Sequence, residues 1–289
     1  MNLVRSLQEF LKICRGDAAF RALGRPAGWS VLFHYQGRWH DRRGSNMPLQ
    51  MIRFCVQGRP VLLEANARCF GPFQGVFIER EYDCTANFHH RPARILDLGG
   101  NIGFGSVFLA GIFPGAKFAI VEPDPRNLPI LRRNLAANQI DATVLEGAIG
   151  SHPGILNLRF GADPACSSLE GTGMHMHSDA IGVAVTTVPA IMAQMGWDRI
   201  DLLKIDIEGA EEDLLTRENE WLARVDALIV EVHPNTTPER LNTHLARFEL
   251  KLERFGSGHE PVYFAQRRTA IMGTSALVVP LAPGQSRAP

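Results

Sequence analysis

No two cysteines of this chain stand as C-x-x-C; the five present (Cys14, Cys55, Cys69, Cys84 and Cys166) are odd in number and widely scattered. That spacing argues against both a zinc site and a disulfide framework, and reads as reduced thiols in a cytoplasm. No run of about 18 apolar residues is available to span a membrane. Neither sign of charge is in excess, with 30 Lys and Arg against 30 Asp and Glu. Without a basic field, neither nucleic acid nor an anionic membrane is an expected partner. Two glycine signatures are missing as well. Glycines 99, 100, 103 and 105 do not compose the G-x-G-x-x-G of dinucleotide binders, and the phosphate-cradling G-x-x-x-x-G-K-[ST] loop is absent. There is no internal repeat or low-complexity tract.

What is present is an ordinary globular composition, 45% apolar and 21% charged over 289 residues, enough for one large domain or a domain with an appendage. The organising stretch is Arg94 to Asp124, RILDLGGNIGFGSVFLAGIFPGAKFAIVEPD. Arg94–Leu98 has the length and apolarity of a buried parallel strand. Asp97, Gly99, Asn101 and Gly103 follow at two-residue intervals, small or left-handed-tolerant residues that let backbone N–H groups approach a ligand. Ile102 to Phe113 is helical in character. Lys117–Val121 is a second strand with Glu122 at its carboxyl end, where a carboxylate can accept from both hydroxyls of a ribose. D-x-G-x-N-x-G is the pattern of class I S-adenosylmethionine-dependent methyltransferases, with Asn in place of the middle glycine.

The remaining elements follow from periodicity. Residues 2–23 read as amphipathic helix rather than signal peptide. Residues 29–79 alternate short apolar runs (WSVLFHYQ, MIRFCVQ, GRPVLLEANA, GVFIE) with turns, a β-rich extension that either covers substrate or packs. Asp124 is the expected N-cap of the next helix, with Pro125 at its first position. Ala142–Leu145 is the third strand, and an adenine would rest at Gly147-Ala148 beyond it. Gly154–Phe160 and Gly182–Val188 form a strand pair around an excursion, and Pro189–Gly196 is a short helix. Ile200–Ile205, Ala227–Val232, Lys251–Phe255 and Ser275–Val279 are further strands, with helices beginning at Gly209 and Pro238. This alternation predicts an α/β fold: a doubly wound, mostly parallel, Rossmann-like sheet. The boundaries read as an extension over 1–80, a core over 81–280 and a loose tail over 281–289.

DLGGNIGFGSVFLA, VEPDPRNLPILRRNL, VLEGAIG, SSL, TTVPAIM, IDLLKIDIEGAEEDLL and LIVEVHP resemble, in order and spacing, the FkbM family of methyltransferases over roughly residues 79–235. The K-x-D-x-E-G-A-E block is the most specific. Gly100 departs from the family, where alanine is usual. The resemblance implies a class I fold with a seven-stranded sheet, S-adenosyl-L-methionine as cofactor, and transfer to a hydroxyl of a sugar or other small natural product. Tyr82, Asp97, Gly99, Asn101, Gly103, Glu122, Pro123, Gly147, Ala148 and Asp206 are the expected cofactor residues; a core role for Tyr82 stays equally open.

An alcohol must lose its proton during methyl transfer, to a base or by metal polarisation. Asp206 and Glu208 after one strand, and Glu231 and His233 after its neighbour, form the expected catalytic cluster. It leaves room for an oxygen-favouring divalent cation such as Mg²⁺ without favouring one, so no metal ligands are assigned. An ion pair among Lys204, Asp206 and Glu208 is the plainer outcome. His175 and His177 read as exposed loop residues, His89 and His90 as surface, and Ser167 and Ser168 as lining the acceptor side or a turn. The N/D-P-P-Y/F motif of many amino-group methyltransferases is missing, though transfer to a small-molecule amine, or cofactor binding without catalysis, stays open. The expected partner is a small-molecule acceptor, with a homodimer left open.

Overall fold

The computed structural model of the chain describes residues 49–66, 69–159, 168–169, 180–256 and 260–267. The predicted N-terminal helix, WSVLFHYQ, Ser167, His175, His177, the strand expected at Ser275–Val279 and the tail lie outside these residues. No helix among the described residues is long and apolar enough to cross a membrane.

A hairpin comes first, β1 (Gln50–Val56) and β2 (Arg59–Ala65), paired antiparallel through the Gln57-Gly58 turn. Its inward face, Ile52, Phe54, Val56, Val61, Leu63 and Ala65, is buried, as period-two alternation requires. The GVFIE segment, expected to be extended, is helical instead: Phe70–Phe73 continues into a wide π turn over Gln74–Glu79. This turn brings Phe73 and Phe77 against Phe54 and Phe104 with ring centroids 4.9–6.0 Å apart, an aromatic cluster that outweighs the β-preference of a short apolar run.

The core alternates β3 (Arg94–Leu98), α1 (Phe104–Ile112), β4 (Lys117–Glu122), α2 (Leu128–Ala137) and β5 (Ala142–Glu146). A small second sheet follows, β6 (Ala148–Ile149), β7 (Gly154–Arg159), β8 (Ser168–Leu169) and β9 (Ala180–Thr186); β7 and β9 form the expected strand pair, in antiparallel register. Then come α3 (Val188–Met195), β10 (Leu202–Ile205), α4 (Glu211–Thr216), β11 (Ala227–Glu231), α5 (Pro238–Leu245), β12 (Glu253–Arg254) and β13 (Val262–Gln266).

The main sheet has the order β12-β13-β11-β10-β3-β4-β5. β11, β10, β3, β4 and β5 run parallel, while β13 is antiparallel to both its neighbours. The doubly wound, mostly parallel seven-stranded sheet is therefore present. Its direction of growth reverses between β3 and β10, the switch point where a crevice opens at the carboxyl ends of the strands. Alternate residues bury opposite faces: Ile95, Phe118, Ile120 and Ile229 on one, Leu96, Leu98, Val121, Leu203 and Val230 on the other.

Two expectations fail at element ends. α2 begins at Leu128, with Asn127 at the N-cap position, rather than at Pro125. The Asp124 carboxylate instead accepts from the Arg126 backbone and guanidinium, closing an Asx-type turn that delays the helix. The last pairing partner is Val262–Gln266, inside a stretch expected to be loop.

The hairpin is tied to the core by two asparagines of α2 and its C-terminus. Asn138 Oδ1 accepts from Leu62 N (2.9 Å) and its amide donates to Leu62 O (2.6 Å). Asn134 does the same to Glu64 (2.6 and 3.2 Å) and also donates to Ile102 O.

Candidate active site

The switch point holds a cavity of about 460 Å³. One wall is the turn after β3, Gly99 to Ile102; another is the Gln74–Tyr82 segment; the floor is Lys204, Asp206, Glu208, Glu231 and His233, with Glu260 at the rim.

The turn is built by backbone requirements. Gly99 (φ +82°), Asn101 (φ +48°) and Gly103 (φ +91°) adopt left-handed conformations. A Cβ at Gly99 would fall 1.7 Å from the Asp206 carbonyl oxygen, and one at Gly100 would fall 2.3 Å from Ile120 Cγ2. Both positions are thus held small by the protein's own packing, the first where β3 and β10 end side by side. Glu122 secures the turn from below: its buried carboxylate accepts from Asn101 N (2.6 Å), Asp124 N (2.9 Å) and Asn127 Nδ2 (3.1 Å). Burial pushes this carboxyl up to about 7, against those hydrogen bonds.

Lys204 and Asp97 are register partners on adjacent parallel strands. Lys204 Nζ lies 2.9 Å from Asp97 Oδ1, 3.0 Å from Gly99 O and 3.6 Å from Asp206 Oδ2. Asp97 Oδ2 also accepts from Ser106 (2.5 Å). Burial works against the ammonium, but the charges of Asp97 and Asp206 raise its pKa. Of the ion pair expected among Lys204, Asp206 and Glu208, the Asp206 contact is present, Asp97 across the strand is the nearer partner, and Glu208 turns to His233 instead. Tyr82 is a buried core residue whose ring lies 5.3 Å from Lys204 Nζ and whose hydroxyl donates to Asp206 Oδ2 (3.3 Å).

The four expected catalytic residues do come together. Asp206, Glu208 and His233 each present a ligand atom within 4.8 Å of the others. His233 Nε2 lies 3.4 Å from Glu208 and 3.9 Å from Glu231, while Nδ1 meets Glu211 Oε1 at 2.9 Å. Burial disfavours the imidazolium, yet hydrogen bonds to Glu208 and Glu211 push His233 up to about 11. Burial also raises Glu208 and, with the charge of Asp206, lifts Glu231 well above the usual carboxylate range. Glu208 itself is left-handed (φ +52°), followed by Gly209 (φ +97°).

Of the expected cofactor residues, Tyr82, Gly99, Asn101 and Asp206 line the cavity; Asp97, Gly103, Glu122, Pro123, Gly147 and Ala148 do not. Gly147 (φ +144°) leaves no space for a Cβ beneath Ala184 O, and Ala148 is buried in β6.

Two carboxyl groups at the cavity were not among the expected site residues. Glu211 closes the K-x-D-x-E-G-A-E block; it is fully buried, accepts from Gly209 N (3.1 Å) and orients His233. The block itself was the signal. Glu81 precedes Tyr82, is 5% exposed, and its Oε2 has no hydrogen-bond partner. Burial first, then the charges of Asp206 and Glu260, push it up to about 8.

A family model described as the methyltransferase FkbM domain matches residues 97–257, more than half of the chain. Methyltransferase sdnD of Sordaria araneosa is 30% identical over 173 residues, 50% of this chain and 66% of that protein. The AMB antimetabolite synthetase AmbE of Pseudomonas aeruginosa is 26% identical over 201 residues, 56% of this chain and 9% of that protein. The match thus spans less than two thirds of either relative. Among solved structures, Aeropyrum pernix fibrillarin in complex with natively bound S-adenosyl-L-methionine is similar at 14% identity and a TM-score of 0.41, covering 77% of this chain and 84% of that one.

Proposed function

The chain belongs to the FkbM family of methyltransferases, and on that premise we propose that it transfers the methyl group of S-adenosylmethionine to a hydroxyl of a small molecule. The observation that carries this reading is the meeting, in one cavity at the carboxyl ends of β3, β10 and β11, of a left-handed glycine turn with a carboxylate cluster. One relative is named an antimetabolite synthetase, which supports a small natural product as acceptor.

The residues present fit the cofactor. The volume lies within the several-hundred-Å³ range of small-molecule sites. The lining is acidic, which suits a ligand carrying sulfonium and ammonium charges, and Glu81 holds a buried oxygen without a partner. Glu122 does not line the cavity and acts on its shape through the Asn101 turn that its carboxylate holds.

S-adenosylmethionine supplies an electrophilic methyl carbon; the chain supplies alignment, exclusion of water and a home for the acceptor's proton. Tyr82 and Lys204 both engage Oδ2 of Asp206. That fixes the carboxylate and leaves Oδ1 to take the proton as the new oxygen–carbon bond forms. Glu231 and the His233–Glu208 pair bound the acceptor side.

Calorimetry with S-adenosylhomocysteine and a labelled-methyl screen over alcohols and amines, with and without chelator, test the proposal. Asp206→Asn is expected to keep S-adenosylhomocysteine binding and lose transfer. Transfer confined to amines, or binding without transfer to any acceptor, would refute it.

A further inference from the structure

We propose that Asp206, Glu208 and His233 form a divalent-cation site on the cavity floor, taking an ion of the Mn²⁺ class. Three observations converge on it. The first is spacing. Donors about 2.1 Å from one ion stand roughly 3–4.2 Å apart in octahedral geometry. The three ligand atoms already lie within 4.8 Å of one another, so closing on an ion takes side-chain shifts of well under an ångström each.

The second is the preparation of the imidazole. A carboxylate only accepts, so the 2.9 Å contact to the fully buried Glu211 assigns the N–H to Nδ1. Nε2 is thereby aimed at Glu208 and Glu231. A buried carboxylate behind a histidine is the outer support that ligating histidines use.

The third is an unsatisfied acid group beside the cluster. Glu81, 5% exposed, keeps an unpartnered oxygen in the wall of the same cavity. Lys204, the lysine lining that cavity, is already bound by Asp97 and Gly99 O. A divalent ion between Asp206 and Glu208 brings a free cation to this lining.

The donor set chooses the ion. Carboxylate oxygens suit Mg²⁺, Ca²⁺ and Mn²⁺, whereas an imidazole nitrogen suits first-row transition metals; Mn²⁺ satisfies both. A bound ion replaces any proton shared between Nε2 and Glu208, which leaves for solvent. Its role rests on the methyltransferase reading: the ion would polarise the acceptor oxygen and ease loss of its proton to Glu231, the floor carboxylate outside the ligand set.

The test is a Mn²⁺ titration of chelator-stripped full-length protein, read by electron paramagnetic resonance and calorimetry, on the wild type, Glu208→Gln and Glu239→Gln, the last an exposed residue of α5 outside the cavity lining. Circular dichroism checks that each is folded, and Asp206→Asn replaces Glu208→Gln if the latter is not. The expected result is one Mn²⁺ per chain in the wild type, affinity at least about tenfold weaker in Glu208→Gln, and near-wild-type affinity in Glu239→Gln. No saturable binding at millimolar Mn²⁺, or equal affinity in wild type and Glu208→Gln, overturns the site. S-adenosylhomocysteine binding by the same stripped protein reports separately: its absence beside an intact Mn²⁺ site sinks the methyltransferase reading and spares the metal site.

Discussion

Replacing Glu81 with glutamine should change how the protein's stability depends on pH. Burial, then the charges of Asp206 and Glu260, raise this carboxyl from the ordinary 4.5 to about 8; Lys204 opposes them. The folded protein therefore holds the proton more tightly than the unfolded chain. The contribution to stability is full below pH 4.5 and is lost as pH rises through 8. At about 1.4 kcal/mol for each tenfold change in proton affinity, the span amounts to roughly 5 kcal/mol. With Glu81 only 5% exposed, solvent screening removes little of it, though relaxation of Asp206 makes the figure an upper bound. Glutamine cannot ionise, so the difference between wild type and Glu81→Gln isolates this one group from Glu122, Glu208 and Glu231, which also titrate upward. Urea denaturation at pH 5 and pH 9 provides the assay. Glu81→Gln should gain about 2–5 kcal/mol on wild type between the two values. A constant offset would report only the packing of the amide; parallel pH profiles would refute the assignment of a buried, proton-retaining carboxyl.

Lys204→Met leaves Asp97 buried without its cation and should destabilise the protein by about 3–5 kcal/mol in urea. Adding Asp97→Asn should recover part of that loss; additive losses would show that the pair is not coupled. Glu122→Gln turns an acceptor-only group toward the N–H groups of Asn101 and Asp124. We expect it to cost about 1–3 kcal/mol of stability and to weaken S-adenosylhomocysteine binding in calorimetry. Unchanged affinity would remove Glu122 from any part in holding the ribose or the turn.

Much of this molecule could be read from one-dimensional pattern, and the failures share a cause. Arg94–Leu98 was legible because a short apolar run between a loop and a glycine turn has few other uses. The convergence of Asp206, Glu208, Glu231 and His233 followed from placing them at the ends of neighbouring parallel strands. GVFIE was misread because so short a run, with Val76, Phe77 and Ile78 its only large apolar residues, has no resolvable period; the aromatic cluster that decides its shape is tertiary. The Lys204–Asp97 pair depends on strand register, which neither strand declares alone. Glu211 lay within the most specific motif, yet its role needs His233, 22 residues downstream, folded back beside it. Gly99 was read as leaving room for a ligand, and Gly100 only as a departure from the family's alanine. Their smallness is demanded by Asp206 O and Ile120, whatever else approaches them.

The asparagine contacts to β2 reach beyond anchoring. The hairpin has two strands, so the outer side of β2 would ordinarily bare a row of peptide groups able to recruit a strange chain. The amides of Asn134 and Asn138 answer Leu62 and Glu64 as a third strand would, donor to acceptor and acceptor to donor. Two helix side chains thus impersonate a neighbour. Exchanging them for alanine would cost more than four hydrogen bonds, because it would unmask a sticky border and expose the protein to self-association.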